Sequence, residues 1–368
     1  MKKLKVLIVD DSAVIRKFLT QVISTESDFE VIGTASNGRI GLLKLEQGLP
    51  DAVILDLEMP EMDGLEAIQE IRKKYRTLPV IIFSVLSERG ATITLNALAL
   101  GATDFITKPE NMLDYETAKQ TIRNDLISKI RSICMNRPTE ESVQVNEVRE
   151  IASINQKLNI DETRRTKCGP QAFDIICIGV STGGPDALTQ FVHQIPSGFL
   201  IPIVIVLHMP AIFTRIFAGR LQDLTNLPVR EGVAGAEIQP GTLWLAPGGQ
   251  HMEIEKRGER ARIKIHEGPP ENSCRPAVDV LFRSVARVYG ARALAIIMTG
   301  MGQDGLRGCE EIRRQGGKII AQDEKSSVVW GMPGAVVRAS LADEIVPLDK
   351  MGEILSRGIL HASNGNVK

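Results

Sequence analysis

The stretch FDIICIGVSTGGP, residues 173–185, sets an apolar, β-branched run against a glycine-rich turn. Glycines straight after a strand serve a phosphate cradle, a dinucleotide loop or a turn that holds up a nucleophilic serine. In each case only backbone without Cβ can turn so sharply or lie so close to a ligand. A dinucleotide loop reads G-x-G-x-x-G and needs an acid about 20 residues on, ending another strand. Here the glycines are Gly179, Gly183 and Gly184, so the first spacing is wrong, and the next strand ends at His208. A P-loop needs Gly-Lys-Ser/Thr, which does not follow. What remains is G-x-S-x-G over residues 179–183, a strand-to-helix turn exposing Ser181 at the carboxyl edge of a sheet. By itself the pattern also suits a buried turn serine bonded to local backbone.

Working outward, the same alternation of short apolar runs and amphipathic stretches fills the chain on both sides. From residue 171 on, FDIICIGV, IPIVIVL, TLWLAP, RALAIIMT, GKIIAQD and DEIVPL read as strands. Over residues 1–131, KVLIVD, VIGTA, AVILD, PVIIFS and DFITK do the same. Such alternation predicts parallel sheets with helices on both faces, an α/β fold in each half. The text between, NRPTEESVQVNEVREIASINQKLNIDETRRTKCGP, is polar and patternless apart from IASINQKL, which could form a short helix. A chain of 368 residues exceeds one typical core. The expected division is therefore a first domain over 1–131, a linker over 132–170 and a second domain over 171–360.

Bulk properties narrow the class. Lys plus Arg number 44 against 45 Asp plus Glu, a balance that argues against nucleic acid or a membrane surface as partner. Cys134, Cys168, Cys177, Cys274 and Cys309 show neither the pairing of a secreted scaffold nor zinc-ligand spacing, and read as reduced thiols. In the opening MKKLKVLIVDDS acids arrive before any signal-type apolar core, so the stretch reads as a strand of a cytosolic protein. No uncharged apolar run approaches the roughly 18 residues of a membrane span.

In the first half, Asp10 and Asp11 end the first predicted strand, Asp56 the third and Ser84 the fourth, and Lys108 follows the fifth. Ligands of open parallel sheets bind at strand carboxyl ends, so these groups should converge. Three carboxylates with waters suit Mg²⁺, and one of them could attack a phosphoryl group whose charge the metal, a lysine and a hydroxyl stabilise. The residues VLIVDDS, DLEMPEMDG and DFITKP resemble the receiver domains of two-component response regulators over residues 4–130, a flavodoxin-like fold. That resemblance implies Asp56 as phospho-acceptor, Asp10 and Asp11 with it as Mg²⁺ ligands, and Ser84 and Lys108 on the phosphoryl group. It also implies Phe105 as a switch aromatic that follows Ser84, and a cis bond at Lys108–Pro109.

In the second half a serine nucleophile needs a base and an orienting acid. Of five histidines, His193 falls in a helical stretch, His251 and His266 in a predicted hairpin and His361 in the tail, whereas His208 ends IPIVIVL. Asp304 stands in the glycine-rich loop after RALAIIMT, at the same sheet edge, where it could equally cap the helix beginning at Gly305. The chain order Ser, His, Asp differs from the Ser, Asp, His of lipase-type α/β-hydrolases.

The residues GVSTGGPDAL, LHMP, ENSCRPAVDVLFRS, MTGMGQDG and DEKSSVVWGMPGAVV closely resemble the catalytic domain of the CheB family of chemotaxis protein-glutamate methylesterases, over residues 172–350. The resemblance implies Ser181 as nucleophile, His208 as general base, Asp304 as its orienting acid, the Met301 N–H as oxyanion donor and Thr182 beside the nucleophile. Leu207 and Val180 depart from the usual Gln and Ala at positions that supply no required chemistry. A receiver joined to a doubly wound, parallel-sheet esterase domain is the arrangement of that family. It implies phosphorylation-activated hydrolysis of glutamate γ-methyl esters on the cytoplasmic bundles of chemoreceptors, with deamidation of glutamines as a second activity. No cofactor is expected for the ester step, and Mg²⁺ is expected for receiver phosphorylation. The implied partners are methylated receptors and the histidine kinase CheA as phosphodonor, for a cytoplasmic monomer with no nucleic acid and no membrane insertion. A DNA-binding output domain would need a helical reader with a basic face, which this strand-rich half lacks.

Overall fold

The computed structural model describes residues 3–109, 115–135 and 173–355. IASINQKL and His361 lie outside them.

The first sheet is built from β1 (Leu4–Val9), β2 (Phe29–Ala35), β3 (Ala52–Leu55), β4 (Val80–Ser84) and β5 (Asp104–Thr107), all parallel in the order β2-β1-β3-β4-β5. Every residue of β3 and β4 is buried, because helices cover both faces and a parallel strand under such cover needs apolar side chains in both directions. The chain runs out from β1 to β2 and returns to β3, so the strand order reverses at β1. Asp10 and Asp56 follow the two strands flanking that point, where open α/β sheets bind ligands.

The closing helix begins at Tyr115–Ile122, passes through a wider π turn at Arg123–Ile127 and runs on as Ser128–Met135. Its described part thus runs past Arg131 to Met135. Ile130 and Ile133 continue its apolar face into the core, and the Arg131 Nε donates to Asp28 Oδ2 at 3.0 Å, so no signal to stop arises at 131.

The second sheet has seven strands, all parallel: β6 (Ile175–Val180), β7 (Ile203–Leu207), β8 (Val229–Glu231), β9 (Leu243–Leu245), β12 (Ala293–Ile297), β13 (Lys318–Gln322) and β14 (Glu344–Val346), in the order β14-β13-β12-β6-β7-β9-β8. Between them β10 (His251–Arg257) and β11 (Arg260–His266) form the antiparallel hairpin that carries His251 and His266. His193 ends the helix Gly184–His193. β8 alone among the parallel strands was not anticipated: three residues, two of them charged, carry no hydrophobic period. The order reverses around β6, which has β7 on one side and β12, reached last of the three, on the other.

The two units share buried surface. The Phe105 ring stacks on that of Phe213, with centroids 4.4 Å apart and planes 16° from parallel. Leu95 and Leu98 of the helix Glu88–Ala99 belong to the same buried cluster as Phe213 and Phe217 of the helix Ala211–Asp223. At its rim Arg220 donates to Thr92 O at 2.8 Å and Asn96 Oδ1 at 2.6 Å, and Arg215 pairs with Glu88. Among the described residues no helix is long and apolar enough to cross a membrane.

Candidate active site

β6 and β7 pair with Val180 opposite Leu207, so the residues that follow, Ser181 and His208, leave the sheet side by side. On the other flank Ile297 of β12 lies opposite Gly179, and the loop after it carries Met301 and Asp304 to the same edge. The serine turn is fixed by backbone: the Ser181 N–H donates to Thr299 O at 3.0 Å, and Gly183 caps the next helix at φ 74°, where an L side chain is strained. A Cβ on Gly300 would stand 2.9 Å from Ser181 Cβ and 2.4 Å from Met332 Sδ, so the loop after β12 reaches the serine because residue 300 has none. Both polar groups of Gly300 are engaged by the segment after β13, its N–H with Val329 O and its carbonyl with the Gly331 and Met332 N–H groups, whereas the Met301 N–H has no acceptor among the described residues. Thr182 is buried, and its carbonyl accepts the Thr299 hydroxyl at 2.9 Å.

His208 Nε2 lies 2.8 Å from Asp304 Oδ2. The carboxylate is buried and saturated: Oδ2 also accepts the Val278 N–H at 2.7 Å, and Oδ1 accepts from Asp279 N at 3.0 Å, Gly305 N at 3.0 Å and Asn272 Nδ2 at 2.9 Å. Burial alone would raise the Asp304 pKa, but these donors and the His208 ring hold it below the ordinary carboxylate value. Burial alone would lower that of His208, and it is outweighed by the hydrogen bonds to Asp304 and Cys274 and by the charge of the Asp304 carboxylate, which hold the ring above the ordinary imidazole value. The bond to Gly305 also makes Asp304 a local support for the helix Leu306–Arg314.

With Nε2–H given to the carboxylate, Nδ1 is the ring nitrogen left to accept a proton. Its neighbour is Cys274 Sγ at 3.6 Å, while the Ser181 hydroxyl makes no hydrogen bond among the described residues. Catalytic hydrogen bonds often close only around substrate. The structure thus joins His208 to Asp304, sets Ser181 and Met301 at their side, and adds Asn272 and Cys274, which the sequence reading did not single out. Both stand in the segment ENSCRP, where Asn272 and Ser273 adopt positive φ of 52° and 61°, a local fold that no hydrophobic period announces.

At the first sheet, oxygens of Asp10, Asp11 and Asp56 lie within 4.8 Å of one another. Lys108 Nζ reaches Asp10 Oδ2 at 3.1 Å and Asp56 Oδ2 at 2.9 Å. Burial pushes the Asp10 and Asp56 pKa values up despite that lysine. Three carboxylates against one ammonium, with oxygen donors alone and Asp11 exposed, fit a hard divalent ion such as Mg²⁺. Ser84 is buried beside them and accepts the Thr94 hydroxyl at 2.6 Å, and Phe105, also buried, turns its ring toward Phe213. Lys108–Pro109 is trans, which corrects the expected cis bond; Arg275–Pro276 is the cis bond among the described residues. An X–Pro amide favours trans by about 0.5–1 kcal/mol, and nothing in the pairing of Lys108 N with Ser84 O at 2.6 Å demands otherwise.

Residues 176–355 match the family model described as CheB methylesterase, and residues 6–118 that of the response regulator receiver domain. A protein-glutamate methylesterase/protein-glutamine glutaminase of Trichodesmium erythraeum is 46% identical over 361 residues, covering 98% of this chain and 100% of the relative. This chain belongs to the CheB methylesterase family. A Nocardioides relative of the same description is 42% identical, over 97% of this chain and 96% of its own. Among solved structures, the CheB methylesterase catalytic domain of Thermotoga maritima is 37% identical with a TM-score of 0.49, covering 50% of this chain and 97% of that one. As a family member with a receiver domain, the chain is a carboxylic ester hydrolase built on two α/β units.

Proposed function

We propose that this CheB-family protein is a cytoplasmic protein-glutamate methylesterase, activated by phosphorylation, that also deamidates glutamine and acts on the cytoplasmic domains of chemoreceptors. The observation that carries the reading is the convergence of Ser181, the His208–Asp304 pair and the unengaged Met301 N–H at one strand edge, in a chain whose relatives carry that name over nearly their whole length. Ser181 Oγ attacks the ester carbonyl as His208 Nδ1 takes its proton, and the Met301 N–H faces the oxyanion. The imidazolium, stabilised by Asp304, protonates departing methanol. A water then gives its proton to Nδ1 and its hydroxide to the acyl carbon, freeing glutamate and Ser181. With a primary amide the leaving group is ammonia and the product is the same glutamate.

In the receiver we assign Asp56 as the carboxylate that accepts the phosphoryl group from a histidine kinase of the CheA type. Asp10, Asp11 and Asp56 would hold Mg²⁺, which when bound neutralises phosphoryl charge. Lys108 and Ser84 lie where the transferred oxygens need donors. Phe105, three residues before Lys108, stacks on Phe213 in the helix that follows His208, so a change at Asp56 can bias how the two units pack.

Methanol release from methylated receptor cytoplasmic fragments, with and without acetyl phosphate and Mg²⁺, tests the reading. Release that rises with phosphodonor supports both sites and their coupling. No release under either condition overturns the substrate assignment, and release indifferent to phosphodonor overturns the regulation.

A further inference from the structure

Cys274 stands 66 residues from His208 in the sequence yet beside its ring in the fold, and the mechanism above gives the thiol no task. We propose that His208 Nδ1 and Cys274 Sγ form an inhibitory Zn²⁺ site superposed on the esterase centre. The inference rests on His208 Nδ1 being the base nitrogen.

The spacing carries the argument. On a tetrahedral zinc, with Zn–S about 2.3 Å and Zn–N about 2.0–2.1 Å, a sulfur and a nitrogen ligand lie about 3.5 Å apart. The observed Nδ1 to Sγ separation is 3.6 Å. The opposite nitrogen is already engaged by Asp304 at 2.8 Å, the carboxylate–histidine–metal arrangement that fixes tautomer and ring orientation in metal sites. One atom each from His208, Cys274 and Asp304 lies within 4.8 Å of the others. Thiolate and imidazole donors favour zinc over magnesium, whereas the all-oxygen set of Asp10, Asp11 and Asp56 has the opposite preference, so the two ions sort between the two units. Cys274 is only partly buried, which gives an ion access. Two protein ligands leave two positions open to water.

Zinc takes Sγ as thiolate and Nδ1 as a free lone pair, so whatever protons Cys274 Sγ and His208 Nδ1 carry are released to solvent on binding. The Nδ1 lone pair, once on zinc, cannot take the Ser181 proton, so turnover stops until the ion leaves. Cys177 and Cys309 offer no such site: both are fully buried, and burial pushes their pKa values well up.

The test uses the full chain, stripped with chelator and then titrated with Zn²⁺ in the methanol-release assay, beside Co²⁺ absorption spectra of the Ser181→Ala chain. We expect inhibition that chelator reverses, weakened at least about tenfold in Cys274→Ser relative to that variant's own metal-free rate. We also expect a thiolate-to-cobalt charge-transfer band in Ser181→Ala that is absent from Ser181→Ala/Cys274→Ser. Equal zinc sensitivity with and without Cys274, or a cobalt spectrum that Cys274 does not change, overturns the proposal. A stripped chain that releases no methanol overturns the esterase reading instead, and the cobalt spectrum still reports on the site.

Discussion

At the scale of single residues, Ser181 and Asp304 have separable duties. Ser181→Ala removes the attacking oxygen and leaves every backbone bond of its turn in place. Methanol release should fall by at least about 10⁴-fold with the melting temperature unchanged, and substantial residual turnover would move the nucleophile elsewhere. Asp304→Asn does more. An amide at that position keeps one acceptor oxygen and turns an NH₂ either toward the His208 ring and the Val278 N–H, or toward the Asp279 and Gly305 N–H groups and the Asn272 amide. The expected result is a kcat lowered on the order of 10³–10⁴-fold and a stability loss of about 1–3 kcal/mol, read by turnover and by denaturant unfolding. A variant that lost stability and kept its rate would show Asp304 to be a helix support alone. Ser181 and His208 were readable because each directly follows a continuous apolar run, and Asp304 because it stands in the glycine-rich loop after another. Asn272 and Cys274 were not, because their placement depends on a loop conformation and not on a repeat.

At the scale of elements, the strand–turn–helix around Ser181 is held by a backbone that tolerates little. Gly183 sits at φ 74°, and a Cβ there would meet Val328 Cγ2 at 2.6 Å. The position carries two separate costs, and a double variant distinguishes them. Gly183→Ala should destabilise the fold by about 1–2 kcal/mol for the left-handed conformation plus a steric part, and should displace Ser181 enough to lower kcat. Adding Val328→Gly removes both Cγ2 and the Cβ that would stand 2.7 Å away, and should recover the steric part, leaving the conformational one together with that second substitution's own cost, as a thermal-unfolding cycle that includes the single Val328→Gly chain would read. Full recovery would mean that the backbone angle costs nothing. The strands were readable for a related reason: parallel strands covered on both faces must be apolar throughout, as in AVIL and IVIVL, and such runs stand out in any window. The same rule explains the one omission, since the edge strand β8 buries only Val229 fully and so leaves too short a trace.

At the scale of the whole molecule, the proposed regulation rests on a contact that no local pattern could have revealed. Phe105 lies in an ordinary strand and Phe213 in an ordinary helix, and their pairing exists only because two separately folded sheets meet. Asp56→Ala should abolish the difference between the rates with and without acetyl phosphate, while retained stimulation would place the acceptor elsewhere. A second variant addresses the interface itself. Arg220 reaches across the units to Thr92 O and Asn96 Oδ1, and two such bonds are each worth about 0.5–1.5 kcal/mol. If the packed arrangement restrains the esterase, Arg220→Ala removes stabilisation that only this arrangement enjoys and shifts the population away from it. Because a ligand or modification can shift an equilibrium only as far as the starting population allows, the same change must shrink the stimulation by phosphodonor. The unphosphorylated rate should therefore rise by up to roughly tenfold as the ratio of stimulated to unstimulated rate falls, with the stimulated rate itself little altered. An unstimulated rate that stays at the parent value in a folded Arg220→Ala chain would show that this contact joins the two units without restraining the chemistry.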